Sequence, residues 1–513
     1  MLASLNTKVE IWLLLGFLLW GTAIGQNARQ KPQVPRAARD KELQALIDMA
    51  TAVAPEFGAD VLIRLSESSK VSDRTTKMEL LNKAFYLAPG AEQPVKRSTY
   101  QFMPDTRSGS LALAYRIQDL ESLSLQSRVV SDMLQLDAKK ARDLLGETQF
   151  PVLAPVGCSE PLTYDVALFY QTIGLTARDG FTAKEKLEGR RLAFLVPYVS
   201  SLQSHAQIRP ATQLLLNADL SSTDLGQLAN MFAAALSQLH GDERSFAVTN
   251  MHSDEYSVAG SIASLIAVLD AKGISSVALL RSFREYLISN FNGERCGETA
   301  DRTGKSSLPE AVRYFNRQFR LDLQNAQISP IAGEDLRSAR IGPKFTDTSF
   351  WQTPKAKQLF AAARELRFGI GEMRLTTEKK ATPEWSSQLT DFLTELAAWD
   401  SDSEPAVVDY ICEKNIIYGL LIDVVPSGAE RSKVIEGFVE FLEQNSVQTA
   451  SRLEWKVPVE LLLSGRVAAD NREEVIQAFL NSQDPALNLY ARLERWTPRN
   501  TSKTSVTATK PGE

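Results

Sequence analysis

The amino-acid sequence predicts an all-α fold: helical hairpins stacked as an irregular α-solenoid, with two helical domains as the form it takes if the stack is interrupted. Three observations predict it. Apolar residues recur at three- and four-residue intervals over most of the chain, which places them on one face of a helix. Hydroxyl, acidic, Pro and Gly residues punctuate these stretches where helices start and stop. Alternating runs of strand length are scarce, and Phe246–Thr249 is too brief to count as one. With 513 residues, several domains or an elongated repeat array are expected rather than one core.

The chain opens on a segment that reads as a signal peptide, residues 1–25. Met1–Glu10 carries Lys8 offset by Glu10, and Ile11–Trp20 has no charge. Ala23 and Gly25 then supply a small-x-small cleavage site before Gln26. The apolar part is shorter than the roughly 20 residues that span a bilayer. Arg29, Lys31, Arg36 and Arg39 follow before the first acidic residue, Asp40, and positive charge just past an apolar segment hinders translocation. An uncleaved membrane anchor is therefore the alternative, and the membrane is a partner only in that case. The expected address is periplasmic or extracellular.

After a polar linker, residues 26–37, an N-terminal helical region covers 38–291. Leu43, Leu46, Ile47, Ala50 and Val53 form the first stripe. Pro55 opens the second helix, at a position where its missing N–H costs nothing, and Phe57, Val61, Leu62 and Leu65 line it. Ser72-Asp73 precedes the third, with Met78, Leu81, Ala84, Phe85 and Ala88 on one face and Pro89-Gly90 at its end. These starts imply about 36 residues per hairpin, the period of helical solenoids. Leu120–Leu134 and Ala138–Leu145 read as a further short-linked pair. Leu162–Leu175, Lys184–Leu202 and Thr223–Leu239 follow, the last capped by Ser222-Thr223-Asp224. Tyr256–Leu269 and Ile274–Asn290 form a hairpin about Lys272-Gly273.

Residues 292–354 are an irregular connecting region with one helix, Leu308–Gln324. A C-terminal helical domain, 355–496, resumes the pattern. Thr382-Pro383-Glu384 opens a helix to Trp399, Ser403-Glu404-Pro405 one to Val424, and Pro426-Ser427-Gly428 turns into Ala429–Gln444. Pro458–Ser464, Asn471–Leu480 and a last helix from Asp484-Pro485 to Trp496 complete it. The tail, 497–513, has almost nothing to bury and is expected to be disordered; Asn500-Thr501-Ser502 matches a glycosylation sequon by pattern.

Lys77–Pro94 (KMELLNKAFYLAPGAEQP) and Leu134–Glu147 (LQLDAKKARDLLGE) resemble second helices and hairpin joints of tetratricopeptide-like or HEAT-like repeats. The resemblance covers about the first third of the chain and lacks the Trp-Leu-Gly-Tyr signature of the tetratricopeptide consensus. It is a resemblance to an architecture, and with the leader the chain looks like an exported bacterial protein of that kind. What the resemblance implies is a concave surface that takes a protein or peptide partner.

Charge and composition exclude more than they assign. A formal net charge of −5 with interspersed signs argues against a nucleic-acid partner, which needs a concentrated basic face. Cys158 and Cys296 sit among Gly, Glu and Ser, and their pairing would close a long loop worth about 4–5 kcal/mol in the chain-entropy model. Three reduced cysteines are the alternative, with Cys412 reading as a buried thiol on the face of Val408, Ile411 and Ile416.

No catalytic residue, cofactor or metal is assigned by pattern. His240 and His252, with Asp242, Glu243, Asp254 and Glu255 nearby, straddle a loop instead of sharing a helix face, and His205 stands apart. Asp400-Ser401-Asp402-Ser403-Glu404 resembles the start of a calcium loop, but Pro405 and Ile411 occupy the positions that need Gly and Glu. Gly304-Lys305-Ser306 lacks the first glycine of a phosphate loop, where Thr299 stands. Serine-nucleophile motifs are missing from the sequence. Beyond the leader, the tryptophans Trp351, Trp385, Trp399, Trp455 and Trp496 all lie in the C-terminal half. They would suit sugar stacking, yet Trp385 shares core spacing with Leu389, Phe392 and Leu396, and Trp399 closes that stripe. The expected function is an extracytoplasmic scaffold for a protein or peptide. A secreted (α/α) toroid acting on carbohydrate and a purely structural envelope protein are the alternatives.

Overall fold

In the computed structural model the chain divides into two units, Met1–Ala45 and Leu46–Glu513, and the packing described here lies within the second. The structure describes residues 41–91, 120–148, 153, 166–240, 258–291, 316, 354–375, 382–400, 407–426, 428–445, 459, 463 and 472–497. The leader, the linker, Phe246–Thr249 and the sequon lie outside the described residues, as does Leu308–Gln324 except for Asn316. Among the described residues the fold is all-α, with 18 α-helices and no strand.

The helices are α1 (Lys41–Ala52), α2 (Pro55–Glu67), α3 (Arg74–Leu87), α4 (Ser122–Leu136), α5 (Ala138–Glu147) and α6 (Ala167–Asp179). They continue as α7 (Ala183–Leu187), α8 (Arg190–Ser200), α9 (Ile208–Asn217), α10 (Ser222–Leu236), α11 (Val258–Ala271) and α12 (Val277–Phe291). The last are α13 (Pro354–Leu375), α14 (Pro383–Ala398), α15 (Val407–Val424), α16 (Ala429–Asn445), α17 (Arg472–Asn481) and α18 (Pro485–Trp496).

Local chemistry sets their starts. Asp73 accepts from Thr76 N, Asp137 from Lys140 N, Thr382 from Trp385 N, and Asp484 from both Ala486 N and Leu487 N. Each satisfies amides that the first turn leaves without partners. The cap of α10 is Ser221, one residue before the expected run, and it accepts from Asp224 N.

Two glycines set turns. Gly273, with φ +68°, ends α11 as expected while Ile274 N reaches back to Leu269 O. Gly189, with φ +73°, breaks the single helix expected over Lys184–Leu202 into α7 and α8. A left-handed residue cannot continue a right-handed helix.

Helices α9 and α13 are findings the sequence reading did not contain. Arg209-Pro210 sits in the first turn of α9 and masks its stripe of Ala211, Leu214 and Leu215. The buried positions of α13 include Ala356, Leu359, Ala363 and Leu366, and half of that stripe is alanine, which gives a weak periodic signal.

Packing follows chain order in two rows. Helices α4, α6, α9 and α11 pack each on the next, and α8, α10 and α12 do the same. The α6–α8, α9–α10 and α10–α11 contacts join the rows, and α5 packs on α4 and α6. Further along, α13 packs on α15 and α14 on α16, followed by α16 on α17 and α17 on α18. Phe85, Phe232, Phe283, Phe438 and Phe479 are among the fully buried side chains. The last helix, α18, packs on α2, where Phe57 meets the edge of the Tyr490 ring at 6.1 Å.

Candidate functional site

The seam between α2, α4 and α18 carries two buried carboxylates, Asp60 and Glu494, each facing half-buried arginines. Helix α2 (PEFGADVLIRLSE) buries residues on nearly every side, so Asp60 and Arg64, one turn apart, enter an interior. Asp60 is 1% exposed. Its Oδ1 takes Arg128 Nη1 of α4 at 2.8 Å, and its Oδ2 accepts from Tyr490 Oη of α18 at 2.8 Å. Arg64 Nε stands 3.4 Å from Asp60 Oδ2, and its guanidinium lies 5.5 Å from the Tyr490 ring centroid. Glu494, 2% exposed, ion-pairs with Arg64 Nη1 at 3.8 Å and Arg472 Nη2 at 3.3 Å. Arg472 also donates from Nε to Leu463 O at 2.7 Å.

These carboxylates and guanidiniums are mutually compensated, which is what makes the burial of such charges tolerable. Burial opposes the charge on Arg128, but Asp60 beside it outweighs burial and raises its pKa.

At the rim, Asp132 lies one turn beyond Arg128, and its buried Oδ2 has no hydrogen-bond partner among the described residues. Burial and the Glu67 charge push Asp132 up to about 7, with Arg128 and Lys77 pulling the other way.

A second charged site lies in the C-terminal half. Lys414 on α15 is buried, and its Nζ donates to Trp399 O at 2.7 Å and to Tyr410 Oη at 2.9 Å. The rings of Phe441 and Tyr410 stand 4.9 and 5.1 Å from it. The ammonium thus caps the C-terminal end of α14, where the helix dipole is negative. Burial pulls its pKa down to about 8, and Asp400 works against that.

The histidines named from sequence separate. His205 is buried in the turn between α8 and α9, with Nδ1 2.8 Å from Tyr286 Oη of α12. Burial, with a smaller effect from His240, pushes it down to about 3, so the ring is neutral at physiological pH. His240 is exposed after α10. His252, Asp242, Glu243, Asp254 and Glu255 lie outside the described residues, as do Cys158, Cys296, Gly304-Lys305-Ser306, residues 401–405, Trp351 and Trp455. Cys412 falls within α15, and its side chain is also outside them. Trp385 and Trp399 are buried, as core spacing expects, and Trp385 Nε1 donates to Leu366 O at 3.2 Å. Among the described residues no group of three or more His, Cys, Asp or Glu side chains could hold a metal ion, and no helix is long and apolar enough to cross a membrane.

Sequence reasoning missed both charged sites. The available signal was charge inside an otherwise apolar helix: Asp60 and Arg64 among Val61, Leu62, Ile63 and Leu65, and Lys414 between Tyr410 and Tyr418.

No protein-family model matches this chain, and no curated protein or solved structure matches it either.

Proposed function

We propose that this chain is an extracytoplasmic helical scaffold, of the tetratricopeptide-like or HEAT-like kind, that binds a protein or peptide. The observation carrying this reading is the row-wise packing, α4 on α6 on α9 on α11 beside α8 on α10 on α12. Stacked hairpins of this kind bury one side of each helix against neighbours and leave the outer faces for partners. The charged sites support it as well: their contacts tie helices to one another, as structural groups do. The apolar side chains left in water include Leu187, 90% exposed, Tyr86 and Val277, and they are the natural positions for probes of a partner. The leader supports an address outside the cytoplasm.

The test is site-specific photocrosslinking in the producing cell, from Leu187, Tyr86 and Val277, with Arg281 as a polar control. The scaffold reading expects one discrete heteromeric adduct from at least one apolar position and none from the control. Turnover of a polysaccharide by the purified chain, with no adduct at any position, would sink it. Mass spectrometry of the mature N-terminus checks the address, since a chain beginning at Met1 refutes cleavage.

A further inference from the structure

The packing that joins the helices before residue 292 to those after 353 is α18 on α2; the other principal helix contacts among the described residues stay on one side of that connection. Three pairs fix its register: Asp60 with Tyr490, Arg64 with Glu494, and Ser68 with Thr497, whose hydroxyls lie 3.2 Å apart. They step forward together along both helices, so α2 and α18 run in the same direction. The buried charges, however, are answered within each side. Asp60 has Arg128 at 2.8 Å and Arg64 at 3.4 Å, both from the first group of helices. Glu494 has Arg472 of α17 at 3.3 Å. The contacts that cross the junction include a neutral donor, the Tyr490 hydroxyl, on Asp60, and an approach of Arg64 to Glu494 that at 3.8 Å is longer than a hydrogen bond. Phe57 against the edge of Tyr490, and Lys70 Nζ 5.1 Å from the Trp496 ring, add to them.

We propose that this junction is a separable joint: α18 parts from α2 while both groups of helices stay folded. The cost of breaking a buried ion pair comes mainly from the charge left behind without a partner. Parting α18 from α2 leaves neither carboxylate in that condition, because Asp60 keeps Arg64 and Arg128, and Glu494 keeps Arg472. What is given up is a hydrogen bond to a carboxylate, a long ion pair and ring contacts, each of modest worth. Water then reaches Tyr490 and Ser68, which are 0% and 4% exposed when the joint is closed. Parts of one chain that meet through polar groups move against each other by default, unless a large apolar interface holds them.

Chemical labelling of the full, folded chain tests the joint. Ser68→Cys puts a thiol beside Thr497, and Ser127→Cys puts one within the packing of α4 on α6, where Ser127 is 1% exposed and its carbonyl accepts from Thr172 Oγ1. Iodoacetamide, with the labelled residue located by mass spectrometry, should modify Ser68→Cys about a hundredfold faster than Ser127→Cys and with little dependence on urea, because parting exposes less surface than global unfolding. Adding Tyr490→Phe should speed labelling of Ser68→Cys about tenfold, the worth of one hydrogen bond to a charged group, and leave Ser127→Cys unchanged. The wild-type chain supplies a second reading if Ser68→Cys misfolds: tetranitromethane should nitrate Tyr490 ahead of Tyr418, which is 1% exposed. Equal rates with equal urea slopes, for the two thiols or for the two tyrosines, would overturn the joint, since parting would then require global unfolding. So would an effect of Tyr490→Phe of the same size on both thiols.

Discussion

The seam at α2, α4 and α18 and the site around Lys414 both take charge out of water, by opposite means. At the seam, carboxylates answer guanidiniums: Asp60 meets Arg128 and Arg64, and Glu494 meets Arg64 and Arg472. At Lys414 the ammonium meets main-chain carbonyls, a phenol and two aromatic faces. A compensated cluster keeps its charges and fails when one member is lost. A cation held by dipoles keeps its proton less firmly, and Lys414 is drawn down to about 8. The difference teaches that the two sites respond to different perturbations, the seam to the loss of a partner and the Lys414 site to alkali.

The largest effect is expected from Asp60→Asn. It strands Arg128 beside Arg64 without the carboxylate between them, and it should cost about 3–5 kcal/mol of stability, read as a lower urea midpoint at constant slope. Adding Arg128→Met should cost less than the two single losses summed, because the second change removes the stranded charge. A loss no larger than that of an exposed substitution, about 0.5 kcal/mol, would break the contrast drawn above.

Next in size is the pH response. Asp132 is raised to about 7, so its contribution is full below the ordinary carboxylate value of about 4 and is lost as pH rises to 7. Lys414 is lowered to about 8. Its unfolded form holds the proton longer, so stability rises with pH from about 8 toward 10, by about 1–3 kcal/mol at about 1.4 kcal/mol per unit. Above pH 10 the buried phenols reverse this, since burial raises Tyr410 and Tyr418 and each keeps a proton that the unfolded chain releases. His205, pushed down to about 3, contributes a slope opposite to that of Asp132 between about pH 4 and 6.5. The quantity to compare is therefore the difference between wild type and Asp132→Asn in melting temperature. That difference should widen from pH 5 to 7 in favour of the variant, while Lys414→Met should flatten the rise above pH 8. A wild-type curve that falls between pH 8 and 10 contradicts the second reading.

The fold was legible where periodicity and punctuation agreed. Asp73, Asp137, Thr382 and Asp484 begin helices because a short acceptor before an apolar stripe is both a local and a global preference. Helices α9 and α13 were illegible because Pro210 and the alanine-rich stripe of α13 blur the signal, and their boundaries are set by packing on α6, α11 and α15. The seam was less legible still. Asp60 and Glu494 are 434 positions apart by their own numbers, and a lone sequence carries no trace of which carboxylate answers which arginine. What could be read was the anomaly, a charged residue in an apolar run, but not its partner.

The smallest prediction sharpens the contrast from inside α15. Asn415 follows Lys414 and is 3% exposed, yet neither its Oδ1 nor its Nδ2 has a protein hydrogen-bond partner among the described residues. Its neighbour on the helix shows what a satisfied polar group looks like there, with Lys414 Nζ bonded to two main-chain carbonyls and Tyr410 Oη. A buried amide without partners carries its desolvation cost uncompensated, about 1–3 kcal/mol, whereas an apolar group of similar shape carries none. Asn415→Leu should therefore stabilise the chain by about 1 kcal/mol, read as a rise in melting temperature, while Lys414→Leu at the adjacent position lowers it. Opposite signs at neighbouring positions of one helix would show that partner geometry, and not burial alone, decides the worth of a polar group in this core. Destabilisation by both changes would place Asn415 in the same class as Lys414 and remove the distinction.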